Sequence, residues 1–278
     1  MTVGGALAKV FSGIGYHVFT HQDYMSRVRG CHNFYQIRFS DHVISASREM
    51  VDILLALDLK TIEIHRKNLR DEGFILYDSV ITKKKFEEPE FMDILFRKIA
   101  LDVGKESIME NAVATGAVLG MLDIGLKVFR NVLRKAFKEK GEEIIQKNIA
   151  CAEAGYNYAR INCTNCKAFG IHEPEYRKLM LIDGVHVIGI GAVISGCKFY
   201  SGYPMTLSTG ILNYMASRAA GYNLVVEQAE DEIAAINMAI GASFAGVRAM
   251  TGTSGGGFAL MVDGLSLAGM TEIPIVIA

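Results

Sequence analysis

At 278 residues, with half of its positions hydrophobic, the chain is long enough to bury one or two substantial cores and too apolar to be disordered. Its 29 basic and 30 acidic residues leave a formal net charge of -1, which gives no electrostatic reason to expect nucleic acid or an anionic membrane as a partner. Five cysteines, an odd number, favour a reducing cytoplasm over a disulfide framework.

The opening run, MTVGGALAKVFSGIGYHVF, is interrupted by Lys9, Ser12 and His17 and reads as a helix leading into a strand rather than an export signal. Short apolar runs predict strands over residues 16–20, 34–39, 53–57 and 74–77, with a helix over 61–69, the mixture of a layered α/β domain. From 89 to 159 the spacing becomes helical. Its most apolar part, 112–122, falls well short of the roughly 20 residues a membrane span needs. Asp123 and Lys127 close it, so it reads as a buried core helix. The alternating charges of 134–147 read as the solvated face of one long helix. A polar stretch with Pro174 then marks a break, and domains are expected over 1–160 and 179–278, joined by a linker over 161–178.

Beyond the break, a helix over 186–195 and strands near 198–200, 224–227, 247–250 and 273–278 alternate as in a parallel sheet covered by helices. Glu230, Asp231 and Glu232 head a helix in which Ile233, Ile236, Ile240 and Phe244 recur at helical spacing among small residues. The turn over 251–257 then sets Thr251, Thr253, Ser254 and three consecutive glycines before a helix near Phe258. Such a turn can present backbone N–H groups to an anion or a cofactor.

The run VEQAEDEIAAINMAIGASFAGVRAMTGTSGGGFALMVDG closely resembles the alpha subunit of the 2-oxoacid:ferredoxin oxidoreductases, thiamine-diphosphate enzymes that include pyruvate and 2-oxoglutarate synthases. In that family an acidic residue opening an E-x-x-A-A-type helix hydrogen-bonds the thiamine aminopyrimidine. Matched through the Ala-rich helix and the G-A-x-x-A-G step, that position is Glu232, with Glu230 as the fallback. SGYPMTLSTGIL resembles the family's Y-P-I-T-P-S loop, which implies that the Thr206 hydroxyl lies beside substrate and cofactor. Tyr203 and Pro204 would shape that loop or touch the cofactor. Met205 and Leu207 depart from the pattern, and Leu207 in place of the second proline loosens the turn. Thr253 and Ser254 are further cofactor-binding candidates, with ordinary turn hydroxyls as the alternative.

The N-terminal half resembles the same family's gamma domain. GYHVFTHQDYMSRVRGCHNFYQIRFSD matches a segment ending R-G-G-H-N, with Cys31 at the second glycine, and LLALDLKTIEIHRKNL, GFILYDS, MENAVATGAVLGML and NIACAEAGYNYAR continue the match. The resemblance covers nearly the whole chain. It implies an N-terminal layered α/β gamma-type domain followed by an incomplete parallel-sheet thiamine pyrimidine-binding domain. Both ends read as cut: the gamma domain's first strand would precede Met1, and the R-G-P-S-type segment that helps bind the substrate carboxylate would follow Ala278.

The implied activity is oxidative decarboxylation of a 2-oxoacid with coenzyme A to acyl-CoA, carbon dioxide and reduced ferredoxin, with 2-oxoglutarate favoured. Thiamine diphosphate would be shared with a beta subunit, and Mg2+ and an iron–sulfur cluster would belong to that partner chain, so that the fragment alone is inactive. One alternative is a non-catalytic assembly or binding subunit that retains the fold. Another is a nicotinamide-dependent oxidoreductase, against which the lack of a G-x-G-x-x-G turn with its acidic residue counts. Arg27, Arg29, His32 and Asn33 form a loop suited either to coenzyme A phosphates or to a subunit interface. Cys163, Cys166 and His172 fall short of a structural zinc set, and Cys31, Cys151 and Cys197 lack cluster spacing, so no metal is expected on this chain.

Overall fold

The computed structural model describes residues 2–23, 32–163, 171, 174, 179–206 and 208–278. The chain divides into two compact units, Met1–Leu181 and Ile182–Ala278.

The first unit opens with α1, Val3–Gly13, whose start is fixed by the Thr2 hydroxyl accepting the Gly5 N–H at 3.2 Å. Val3, Ala6, Leu7, Val10 and Phe11 recur at helical spacing and are buried. The antiparallel pair β1, His17–Asp23, and β2, Phe34–Ser40, follows, with His17 opposite Ser40 and Asp23 opposite Phe34. Phe39 stacks on Phe11 at a centroid distance of 4.1 Å, which holds this ribbon against α1.

Strands β3 (Val51–Leu55), β4 (Leu69–Tyr77) and β5 (Phe91–Asp93) form a parallel sheet in the order β3-β4-β5. Between β3 and β4 runs α2, Leu59–His65, capped by Asp58, which accepts from the Thr61 N–H and hydroxyl at 2.7 Å. The helix expected over 61–69 therefore ends early, because after a short 3-10 turn Leu69 is already paired with Val51. Strand β5 corrects the helical reading from residue 89 onward. Three residues carry little periodicity, and their conformation is set by pairing with Ile75, Leu76 and Tyr77.

After β4, the short α3 (Ser79–Thr82) is capped by the buried Asp78, and α4 (Phe96–Ile99) runs into a π-helical turn at Ala100–Gly104. Three longer helices complete the unit: α5 (Glu110–Met121), α6 (Lys127–Ala136) and α7 (Glu142–Asn162). Helices α5 and α7 meet backbone to backbone. A β carbon at Gly116 would stand 2.0 Å from the Ala152 carbonyl oxygen, and one at Gly155 would stand 2.2 Å from that of Val113. Residues 112–121 of α5 are all buried, which accounts for a run that is apolar except for Thr115, whose hydroxyl donates to the Asn111 carbonyl at 2.7 Å. Among the described residues no helix is long and apolar enough to cross a membrane. The charged stretch 134–147 is two helices rather than one, because Gly141, at φ +92°, breaks the path between α6 and α7. Cys163 takes part in a disulfide, a departure from the expectation of thiols. Cys151 and Cys197 are free and buried, and burial pushes the Cys151 thiol up to about 11.

The second unit alternates helix and strand: α8 (Gly184–Ile194), β6 (Phe199–Gly202), α9 (Thr209–Tyr222), β7 (Val225–Gln228), α10 (Glu232–Phe244), β8 (Ala249–Thr251), α11 (Gly255–Leu260), α12 (Val262–Met270) and β9 (Val276–Ile277). All four strands are parallel, in the order β7-β6-β8-β9. Tyr200, Ile211, Leu212, Met215 and Met250 form a core with α9 on one side, and Ile236, Ile240 and Met261 form another under α10 and α12.

Candidate functional site

In the second unit the chain leaves β6 for β7 on one side and then returns past β6 to β8 on the other, so the winding reverses beside β6. Open α/β sheets bind ligands beyond the carboxyl ends of the strands at such a reversal, because successive crossovers diverge there and leave a crevice. Three segments singled out in the sequence end at this edge. They are the turn after β6 with Tyr203, Pro204 and Thr206, the start of α10 with Glu232, and the turn after β8 with Thr253 and Ser254.

The three acidic residues at the head of α10 have different surroundings. Glu230 is exposed. Asp231 is the N-cap: its carboxylate accepts the Ala234 N–H at 2.7 Å and its carbonyl accepts the Ala235 N–H at 3.0 Å. Glu232 is only 4% exposed, and its carboxylate has no hydrogen-bond partner among the described residues. The buried Ser201 hydroxyl of β6 donates to the Ala235 carbonyl at 2.6 Å and so anchors the first turn of α10 to the sheet.

Gly257 lies against this carboxylate. A β carbon there would stand 2.1 Å from Thr253 Oγ1 and 2.5 Å from Glu232 Oε1. The glycines expected as a turn are instead the first turn of α11, with Ser254 extended at the N-cap. Helix propensity opposes that run, but at 257 only glycine leaves room for Glu232. The hydroxyls of Thr251, Thr253 and Tyr200 are buried without partners among the described residues.

Tyr200 is a residue that the sequence reading missed. Its ring is fully buried, its hydroxyl would be 2.5 Å from a β carbon at Gly252, and burial pushes the phenol up to about 12. Its one signal in the sequence is a tyrosine two residues before a glycine at a strand end.

Thr206 is exposed on the turn between β6 and α9. The Met205 carbonyl accepts the hydroxyls of Ser208 at 3.2 Å and Thr209 at 2.6 Å, which leaves the Thr206 hydroxyl unengaged among the described residues. Tyr203 and Ser254 are half-buried and Pro204 is exposed, while Leu207 lies outside the described residues. Of the basic loop, His32 pairs with His65 at 2.8 Å and Asn33 is exposed. Arg27, Arg29 and Cys31, like Cys166 and His172, lie outside the described residues. Among the described residues no group of three or more His, Cys, Asp or Glu is disposed to hold a metal ion.

Residues 1–158 match the family model "Pyruvate ferredoxin/flavodoxin oxidoreductase", and residues 190–278 match "Pyruvate flavodoxin/ferredoxin oxidoreductase, thiamine diP-bdg". The 2-oxoacid:ferredoxin oxidoreductase 1 alpha subunit of Sulfurisphaera tokodaii is 27% identical over 327 residues, covering 99% of this chain and 52% of its own length. The 2-oxoglutarate synthase subunit KorA of Archaeoglobus fulgidus is 47% identical over 100 residues, 36% of this chain and 29% of its own. Among solved structures, the 2-oxoglutarate:ferredoxin oxidoreductase from Magnetococcus marinus with 2-oxoglutarate, coenzyme A and succinyl-CoA bound superposes with a TM-score of 0.90 at 27% identity, over 99% of this chain and 49% of that one. This chain thus spans about half the length of the relatives that match it from end to end. Glu232 and Gly257 of the second unit lie inside the thiamine-binding match, and the chain belongs to the pyruvate ferredoxin/flavodoxin oxidoreductase family.

Proposed function

We propose that the second unit forms the pyrimidine-facing wall of a thiamine diphosphate site in a 2-oxoacid:ferredoxin oxidoreductase, with Glu232 as its catalytic carboxylate. The observation that carries this reading is a glutamate only 4% exposed, held where the sheet reverses and packed against Gly257, whose carboxylate has no hydrogen-bond partner among the described residues. A mostly buried carboxylate without a protein partner is open to a ligand that completes it, as at functional sites. A carboxylate with free lone pairs suits a ring nitrogen that can share a proton with it, and in that respect Glu232 fits the cofactor.

When bound, thiamine diphosphate supplies the electron sink that decarboxylation of a 2-oxoacid requires. Glu232 would share a proton with the ring nitrogen of the bound cofactor, and its backbone is fixed by the Asp231 cap and the Ser201–Ala235 bond. The exposed Thr206 hydroxyl is available to orient substrate, with Tyr203 and Pro204 shaping its turn. Thr253 meets the glutamate beside Gly257, and Ser254 follows it at the N-cap of α11 as a further candidate contact to the cofactor. A beta subunit carries the diphosphate–Mg2+ half of the site and the iron–sulfur cluster, coenzyme A takes the acyl group, and ferredoxin takes the electrons in the cytoplasm. Arg27 and Arg29 are the phosphate-binding members of the basic loop, since His32 is engaged by His65. Among 2-oxoacids the reading favours 2-oxoglutarate, supported by the KorA relative and by the name of the Magnetococcus marinus enzyme.

The test is Glu232→Gln in the complete enzyme with its beta subunit. Ferredoxin reduction dependent on the 2-oxoacid should fall by about a hundredfold or more, with assembly on size exclusion unchanged. Undiminished turnover would remove Glu232 from the chemistry.

A further inference from the structure

Two oxygens crowd the space in front of Gly257. The point its missing β carbon would occupy is 2.1 Å from Thr253 Oγ1 and 2.5 Å from Glu232 Oε1. Neither oxygen has a hydrogen-bond partner among the described residues, and Thr253 Oγ1 is shut off from solvent. Three donors at the start of α10 are committed: the Ala234 and Ala235 N–H groups to Asp231, and the Ser201 hydroxyl to the Ala235 carbonyl. The backbone of Thr253 is fixed as well, since its N–H donates to the Ala278 carbonyl at 3.0 Å. A hydroxyl so placed has lost water and can recover a partner only from an acceptor close by.

We propose that Thr253 is a positioning residue whose hydroxyl donates to the Glu232 carboxylate and fixes the direction in which that carboxylate meets a bound ring. This rests on the catalytic reading of Glu232 and moves Thr253 from direct cofactor contact to action through the glutamate. Both oxygens lie within 2.5 Å of one point, so rotation of either side chain can bring them into hydrogen-bond range. Glycine at 257 keeps the path between the two oxygens open.

A double-mutant cycle in the assembled enzyme tests the coupling, read both as the thiamine diphosphate dissociation constant by calorimetry and as 2-oxoacid turnover. Thr253→Val should weaken cofactor binding or turnover by about tenfold or more, the scale of a lost hydrogen bond to a charged group. Thr253→Ser should recover most of that loss. In a Glu232→Ala background Thr253→Val should change the dissociation constant by less than about twofold. Equal losses in both backgrounds, or a serine variant as impaired as the valine one, would overturn the proposal. If Glu232→Ala alters neither readout, the catalytic reading fails together with this one. If it alters them and Thr253→Val does not, only the role of Thr253 is lost. Should the valine variant not fold, Thr253→Ala takes its place in the same cycle.

Discussion

His32 and His65 face one another through their Nε2 atoms at 2.8 Å, with ring centroids 4.9 Å apart. At that distance one nitrogen donates and the other accepts, so the contact survives only while at least one ring is neutral. Phe34 packs edge-on against His65, Asp58 lies within the field of His32, and Lys67 and Asn68 adjoin His65. Burial first, and then the charge of His32, hold His65 below the ordinary imidazole range. The unfolded chain therefore takes up its proton first as pH falls. The contribution to stability is complete above the unfolded value of about 6.5 and is lost as pH drops through it toward the lower folded value. The urea midpoint of the chain should decline between about pH 7.5 and about pH 5.5, and His65→Gln should flatten that decline. Equal slopes in the two proteins would show that the pair does not contribute.

Asp78, at the carboxyl end of β4, is 2% exposed and accepts three backbone N–H groups, from Val80 at 2.9 Å, Ile81 at 3.2 Å and Arg97 at 3.1 Å. It caps α3 and ties the start of α4 to the same point, so one side chain satisfies donors from two elements. Asp78→Ala should cost about 2–3 kcal/mol, because the cap is lost and three part-buried donors lose their acceptor. A loss below about 1 kcal/mol in urea denaturation would mean that water replaces the carboxylate.

The glycines of α5 and α10 should respond with opposite signs. At Gly116 a β carbon would meet the Ala152 carbonyl oxygen at 2.0 Å, and backbone cannot rotate aside, so Gly116→Ala should destabilise by about 3 kcal/mol or prevent folding. At Gly241, inside α10, nothing lies within 4 Å, and Gly241→Ala should stabilise the chain by about 0.5–1 kcal/mol through its lower unfolded-state entropy. Thermal melts of both variants decide the matter, and the same sign at both positions would contradict the packing of α5 on α7.

Local patterns survive in the sequence where a single element determines them. The apolar spacing of 233–244, the Asp231 cap and the alternation of helix and strand after residue 184 are all legible in that way, and they carry the parallel sheet of the second unit. Features set by distant partners are not. Strand β5 takes its conformation from β4, and the order β7-β6-β8-β9 depends on which way each crossover turns. The break at Gly141 hides in a run of charges that suits one long helix. At the site, the resemblance singles out Glu232, but its closeness to Thr253 exists only because Gly257 of another helix lacks a side chain, a relation that no spacing along the chain encodes.

Tyr200 and Ser201 are neighbours on β6 that face opposite sides of the sheet, and deleting their hydroxyls should have opposite consequences. The Tyr200 hydroxyl is buried without a partner among the described residues, so Tyr200→Phe removes a desolvation cost and should leave stability unchanged or raise it by up to about 1 kcal/mol. The Ser201 hydroxyl donates to the Ala235 carbonyl at 2.6 Å, and Ser201→Ala should cost about 1–2 kcal/mol while loosening the first turn of α10. Urea titrations with equal slopes compare the two directly. A phenylalanine variant that loses more than about 1 kcal/mol would show that the phenol has an acceptor in solution, and the carboxyl edge between Gly202 and Gly252 is where that acceptor would lie.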